Sequence, residues 1–409
     1  MHRPWKPATV ALALLLSGAA AGCSSAGGST ASGGGSGGTI TIGFNDSLTG
    51  GDAPSGTANL TLAKAAIGYI NAHGGIDGKH LKLTSLDSGQ VGSGAAGTNA
   101  TQLAQSQVAA MLGPNVSNDC DEAQPIVTEN KIPTFCGYLD HASLVPVQPY
   151  IFQADVTELA FAAPMINLVK KATGKAHPRI AVLTNFTQGA TQWAQKLKSI
   201  APQLGAKVVY VGTESQTATD LTPLGAGVIA SHPDAVLAEI FQPFVVPMIR
   251  QLTGAGLNVP FIAMNGVMTY SEMQSANKAQ VYEIGGGNFI IPGAAGNSPQ
   301  LKQLIAALAE AGAKTPATIN GASGTDPLVS FLDLFQAMRD CHGCTGQDLA
   351  KQLEKTTYSF PGLAQDFSYS PNLHMGFKTF TAYRWDPATH TVALVPGTIP
   401  AGSLSLTSP

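Results

Sequence analysis

Directly after Gly113-Pro114 the chain sets three small polar side chains close together, Asn115, Ser117 and Asn118. Residues of these types accept hydrogen bonds from the free N–H groups at the start of a helix. A helix beginning here turns its first-turn N–H groups outward, where they attract the negative end of a ligand. Non-covalent capture is therefore the chemistry on offer. Ser117 and Asn118 serve equally well as plain helix caps, a role that needs no ligand.

Two other patterns resemble reactive motifs. Gly92-Ser93-Gly94-Ala95-Ala96-Gly97 has the GxGxxG spacing of a dinucleotide-binding turn. The loop before it is long, and no acidic residue ends the next strand to hold a ribose hydroxyl, so it reads as an ordinary loop. Cys341-His342-Gly343-Cys344 is a CxxC. A redox CxxC places its first cysteine at a helix N-terminus, whereas Cys341 follows the end of a helix carrying Val329, Leu332, Phe335 and Met338 on one face. There is no second CxxC or paired histidine for zinc, so a structural disulfide is the reading. Gly-x-Ser-x-Gly is absent outside the Gly/Ser-rich stretch before residue 39, His-Glu-x-x-His is absent, and the nine histidines are scattered, with His73, His177 and His232 in turns. No catalytic residue, metal site or cofactor is expected.

The elements that position the polar triplet follow from periodicity. Residues 108–112 form an apolar run that stops at Gly113-Pro114, as a buried strand does. A helix with Ala123, Ile126 and Val127 on one face follows, Asn130 ends it, and residues 132–135 make the next strand. This is a βαβ unit with parallel strands, so the helix start lies at the carboxyl edge of the sheet, where open α/β sheets bind ligands. Upstream, strand 39–44 and strand 81–86 flank a helix that buries Leu60, Ala63, Ala66, Ile67 and Ile70 and stops near Gly74. Downstream, a second βα series runs from residue 179 to residue 263, and residues 284–291 add another strand. Amphipathic helices cover 299–311 and 328–339, and the tail from Phe377 to Val395 alternates as strands do. Two βα series of similar size predict two three-layer α/β/α lobes with mostly parallel sheets, facing each other across a cleft.

Composition agrees. The 409 residues exceed what one core supports, 44% are apolar and only 11% are charged. With Arg3 and Lys6 of the leader set aside, 20 basic residues face 25 acidic ones, a net charge of −5. No basic stripe exists, which argues against nucleic acid as a partner. Residues 1–22 form an export signal: Arg3 and Lys6, then an apolar run too short to span a bilayer, then Ala20-Ala21-Gly22 before Cys23. Ala-Ala-Gly-Cys resembles the lipobox of bacterial lipoproteins, which implies lipidation of Cys23 and a chain held outside the cytoplasm at the cell membrane. The Gly/Ser-rich residues 23–38 are a flexible tether with a reach of roughly 20 Å. The other four cysteines form an even set in an exported chain, and Cys120 and Cys136 fall at one sheet edge. Pairs Cys120–Cys136 and Cys341–Cys344 are expected.

Residues 39–49 ending in a Thr-Gly loop, the turn Asn-Ala-His-Gly-Gly-Ile-Asp-Gly-Lys at 71–79 and Leu112-Gly113-Pro114 resemble the type I periplasmic binding proteins. Within these, the similarity is to the branched-chain amino-acid and amide binding group of ABC importers. The resemblance implies hinge-linked lobes, 39–156 with 293–376 and 157–292 with 377–409. It also implies a monomer that captures an amino acid, amide or related small polar solute and delivers it to an ABC permease. An extracellular ligand-sensing lipoprotein with a signalling partner would share the fold. By position, the family's ligand contacts fall on Ser117, Asn118, Tyr138, Leu139, Asp140, Gln188, Phe241 and Asn265. Asn265 stands where the family grips a ligand ammonium with an acid, and Asp140 where a small hydroxyl residue helps to bind a carboxylate. The expected ligand is therefore not a zwitterion: an amide, a polyol-like molecule or a small aromatic.

Overall fold

A computed structural model describes residues 37–137, 146–154, 156–215, 217–264, 267–268, 270–276, 280–285, 298–312, 322–386, 388–396 and 399–400. The leader, Cys23 and nearly all of the tether fall outside these residues, as do Tyr138, Leu139, Asp140, Asn265 and the lobe boundary expected at residue 293. No helix among the described residues is long and apolar enough to cross a membrane.

The first sheet is formed by β1 (Thr39–Asp46), β2 (His80–Asp87), β3 (Met111–Leu112), β4 (Thr134–Phe135) and β5 (Ile151–Phe152), in the order β2-β1-β3-β4-β5. All its pairings are parallel. The alternation of a strand sends neighbouring side chains to opposite faces. Met111 thus packs with Leu103, Ala123 and Val127 of the helices Ala95–Gln105 and Ser117–Glu129. Leu112 packs with Leu62, Leu304 and Phe335 of the helices Ala53–Ala72, Pro299–Glu310 and Ala322–Asp340. The strand expected over 108–112 narrows to two residues, but its backbone still joins the ladder. Ala109 N–H donates to Thr41 O (2.8 Å) and Gly43 N–H to Ala110 O (2.9 Å).

The second sheet takes β6 (Arg179–Thr184), β7 (Lys207–Thr213), β8 (Ala235–Glu239), β9 (Phe261–Met264) and β10 (Val281–Gly285), all parallel. A separate hairpin, β11 (Thr357–Phe360) with β12 (Ala364–Ser368), precedes the strands that complete this sheet. These are β13 (Thr379–Asp386), β14 (Thr391–Leu394) and β15 (Ile399–Pro400), all antiparallel. The sheet order is β14-β13-β10-β9-β8-β6-β7, with β15 beside β13. Trp193 of helix Gln188–Ile200 and Phe161 of helix Glu158–Thr173 are fully buried in this lobe. Phe161 meets Phe380 of β13 edge to face, with centroids 4.5 Å apart.

Two connections between the lobes run side by side. Gln153 N–H donates to His374 O (2.9 Å), Gly376 N–H to Gln153 O (2.9 Å) and Phe377 N–H to Ala154 O (2.7 Å). The His374 ring stacks on Phe152 at 4.1 Å. Both disulfides are present: Cys120–Cys136 with Cα atoms 6.1 Å apart, and Cys341–Cys344 with 5.5 Å. The first ties helix Ser117–Glu129 to the end of β4. In the chain-entropy account, Cys120→Ala with Cys136→Ala should lower unfolding free energy by about 3 kcal/mol, and the Cys341/Cys344 pair by about 2 kcal/mol because its loop is shorter. Urea denaturation of the two double variants checks the order.

Candidate ligand-binding cleft

The carboxyl ends of strands from both sheets converge on one cleft, which encloses about 430 Å³ and opens to solvent. From the first lobe come Asp52, Ser55 and the segment Asn115, Val116, Ser117; from the second, Glu158, Asn185, Thr187, Glu239, Ile240, Phe241, Gln242 and Val267.

The first lobe's wall is built around Asp46 at the end of β1. Its Oδ1 accepts from Ser47 N–H (2.9 Å) and Asn115 N–H (3.2 Å), and its Oδ2 accepts from Asn59 Nδ2 (3.1 Å). This carboxylate fixes the β1 exit loop to the polar segment after β3. Gly113 makes the approach possible: its φ is 81°, and a Cβ there would stand 2.3 Å from Asn45 O. Asp52 occupies the N-cap position of helix Ala53–Ala72 without a side-chain capping bond. Its Oδ2 is buried and meets no hydrogen-bond donor.

The second lobe's wall follows from register. β6 and β8 pair Thr184 with Glu239, so Asn185 sits beside that acid. Asn185 N–H donates to Glu239 O (2.7 Å) and Asn185 Nδ2 to Glu239 Oε1 (3.3 Å). Asn185 Oδ1 in turn accepts from Thr187 N–H (2.9 Å) and Thr187 Oγ1 (2.6 Å). Glu239 Oε2 has no partner. Phe241 N–H donates to Glu214 Oε1 (3.0 Å), and the Phe241 ring lies 5.7 Å from that of Phe186, which is 39% exposed.

One contact joins the walls. Ser117 Oγ donates to Glu158 Oε1 (3.3 Å). That carboxylate fits because residue 189 is glycine; a Cβ there would lie 2.2 Å from Glu158 Oε1. The same contact corrects the capping expectation. The helix begins at Ser117 with Val116 at its N-cap and no side-chain cap, because the Ser117 hydroxyl is drawn across to Glu158.

Of the residues singled out from sequence, Ser117 and Phe241 line the cleft. Asn118 does not line it; its Nδ2 lies 3.8 Å from where a Cβ on Gly92 would be. Gln188 is exposed at the first position of its helix, away from the cleft lining. Asn115 of the polar triplet also lines the cleft. Asp52, Glu158, Asn185 and Glu239 went unrecognised. Position alone could have found Glu239, an acid at the carboxyl end of a strand in the second βα series. The GxGxxG segment is a turn leading into helix Ala95–Gln105, and two of its amides are taken by side chains: Gly92 N–H donates to Asp119 Oδ1 (2.7 Å) and Gly94 N–H to Glu122 Oε1 (2.9 Å). A second cavity of about 470 Å³ lies in the first lobe behind Asn115, walled largely by Phe44, Phe135, Ala154 and Phe331.

A family model described as "Periplasmic binding protein" matches residues 39–390. The chain belongs to the periplasmic binding protein family. Solved structures share the fold. One is the branched-chain amino-acid transporter substrate-binding protein LivJ from Streptococcus pneumoniae in complex with isoleucine. It is 21% identical with a TM-score of 0.73, the match covering 87% of this chain and 99% of that one. A solute-binding protein of an ABC transporter from R. palustris, in complex with 4-hydroxybenzoate, is 16% identical with a TM-score of 0.74, covering 90% and 99%. A fatty acid ABC transporter substrate-binding protein from Thermomonospora curvata is 16% identical with a TM-score of 0.74, covering 90% and 94%. No curated protein matches the sequence.

The described lining of this periplasmic binding protein's cleft is acidic, with its carboxyls largely buried. Burial pushes Glu239 up to about 8, with the charges of Asp52 and Glu214 adding to it, and burial alone pushes Glu214 to about 8. Asp46 rises to about 6 through burial, and burial with the charge of Asp46 holds Asp52 well above the carboxylate range. A carboxyl raised in this way keeps its proton in the folded protein at pH values where the unfolded chain has lost it. Its stabilising effect is complete below the ordinary value of 4.5 and disappears as pH rises through about 8. The urea midpoint of the ligand-free protein should therefore fall between about pH 5 and about pH 8, and Glu239→Gln should flatten that slope. An unchanged slope in the variant would remove Glu239 as its source.

Proposed function

We propose that this chain is the extracytoplasmic solute-binding component of an ABC importer, a lipoprotein that captures a small polar solute between its lobes. The observation that carries the reading is the cleft itself. Strand ends from two sheets meet there, and buried polar groups from both sides, Asp52 Oδ2 and Glu239 Oε2 among them, lack partners within the protein. Buried polar atoms without partners are unfavourable unless something else supplies them. A solute held there touches both lobes at once and so favours the closed arrangement, the state a permease can distinguish. The paired connections at 153–154 and 374–377 support a hinge at that level, and we assign 39–156 with 293–376 to one lobe and 157–292 with 377–409 to the other. Ser117 and Phe241 are assigned to the binding surface.

A thermal-shift screen over amino acids, amides, polyamines, sugars and aromatic acids tests the reading. A bound solute at a hundred times its Kd should add about 2.7 kcal/mol of stability. The same solute should reduce the radius of gyration measured by small-angle X-ray scattering. A screen without a hit, or a hit without compaction, would count against capture by closure.

The anchor is tested separately. Cys23→Ala should release the protein from the membrane fraction and leave solute affinity unchanged, since the Gly/Ser tether separates that residue from the fold. Retention of the variant in membranes would overturn lipidation at Cys23.

A further inference from the structure

The composition of the cleft narrows the class of solute, an inference that rests on the binding reading above. Among the described residues, every ionisable side chain lining it is a carboxyl: Asp52, Glu158 and Glu239, with no lysine, arginine or histidine in that lining. Asp52 and Glu239 are only 4% and 8% exposed, come from opposite lobes, and each turns one oxygen toward no donor. Glu158 is served by the Ser117 hydroxyl. The remaining walls are apolar or aromatic, with Val116, Ile240, Phe241 and Val267. We infer that the cleft takes a small organic cation, an amine or guanidine with at least two N–H donors and no carboxylate, bridging Asp52 and Glu239.

Physical reasons favour this class over the others. A cation supplies both missing N–H donors and the missing charge in one molecule, and charge-assisted bonds of this kind are the strong ones. An alkylammonium also gains from an aromatic face such as that of Phe241. A carboxylate on the solute would face three buried acids with no base to balance it. Zwitterionic amino acids, already unexpected from the asparagine at residue 265, are thereby disfavoured even though acids are present. A divalent metal is a weaker match: among the described residues no group of three or more His, Cys, Asp or Glu side chains is gathered to hold one.

Binding of a cation should also release protons near neutral pH. Burial keeps Glu239 protonated there, and the groups that share its field are all acids: Asp52 and Glu214, with Asp46 and Asp119 acting on Asp52. The cation replaces the proton as the neutralising charge.

The test compares molecules of like size and different charge. Putrescine and agmatine are titrated into the full-length protein alongside butanediol, succinate and leucine, with thermal shift and calorimetry as readouts. Expected is saturable stabilisation by putrescine or agmatine and none by succinate or leucine. Calorimetric heats for the cation, measured at about pH 6.5 in two buffers of different ionisation enthalpy, should show net proton release. Asp52→Asn and Glu239→Gln, near-isosteric changes, should each weaken that cation by about ten-fold or more and raise the melting temperature of the ligand-free protein. The proton-release measurement needs no variant and stands if either fails to fold. Binding of butanediol, succinate or leucine with no binding of the cations would overturn this inference while leaving solute capture intact. Silence from this set and from the wider screen together would overturn both. Cation binding without proton release, or unaffected by both substitutions, would move the cation away from these two carboxyls and overturn the assignment.

Discussion

Carboxyl groups buried on both sides of a gap, with no base among the described residues that line it, set the terms for this molecule. Parallel strands end on one edge, and the chain must leave that edge through loops whose polar groups need partners. Here the first lobe meets the requirement with Asp46, which gathers two backbone N–H groups and the Asn59 amide. The second lobe meets it with Asn185, which holds Glu239 on one side and Thr187 on the other. What these networks leave over is concentrated at the meeting line. Asp52 and Glu239 are buried too deeply to be hydrated and are too poorly served by donors to ionise easily. The apolar layers behind them, Ile42 and Phe44 in one lobe and Val182 and Leu237 in the other, are what keep water away.

Much of this architecture could be read from residue order. The βαβ unit around Gly113-Pro114, the second βα series and the alternating tail all correspond to elements of the fold, because period and turn residues report local backbone directly. Helix ends were less legible. Asn115, Ser117 and Asn118 have capping chemistry, yet a tertiary partner, Glu158, claimed the Ser117 hydroxyl and left Val116 at the cap. Propensity describes what a side chain can do locally and is silent about a carboxylate forty residues away.

The site itself was only half visible, and for one physical reason. Reading by family position looked for an acid at residue 265 and found asparagine, and placed its one acid at Asp140, outside the described residues. The fold draws its acids from elsewhere: Asp52 from a helix start, Glu158 from the first turn of another helix, and Glu239 from a strand end. Their convergence is a property of two lobes brought face to face. Gly189 shows the same limit. Its missing side chain is the space that Glu158 occupies.

Two neighbouring connections between the lobes carry a mechanical consequence. Residues 153–154 and 374–377 are tied to each other by backbone hydrogen bonds, and the stacked rings of Phe152 and His374 fasten one end. Two strips joined along their edges behave as a ribbon, compliant to bending across its flat face and stiff to shear within its plane. Under the hinge reading proposed above, this ladder favours rotation of the lobes over sliding, because sliding would break its hydrogen bonds. Rotation about such a strip returns Asp52 and Glu239 to the same register on each closure.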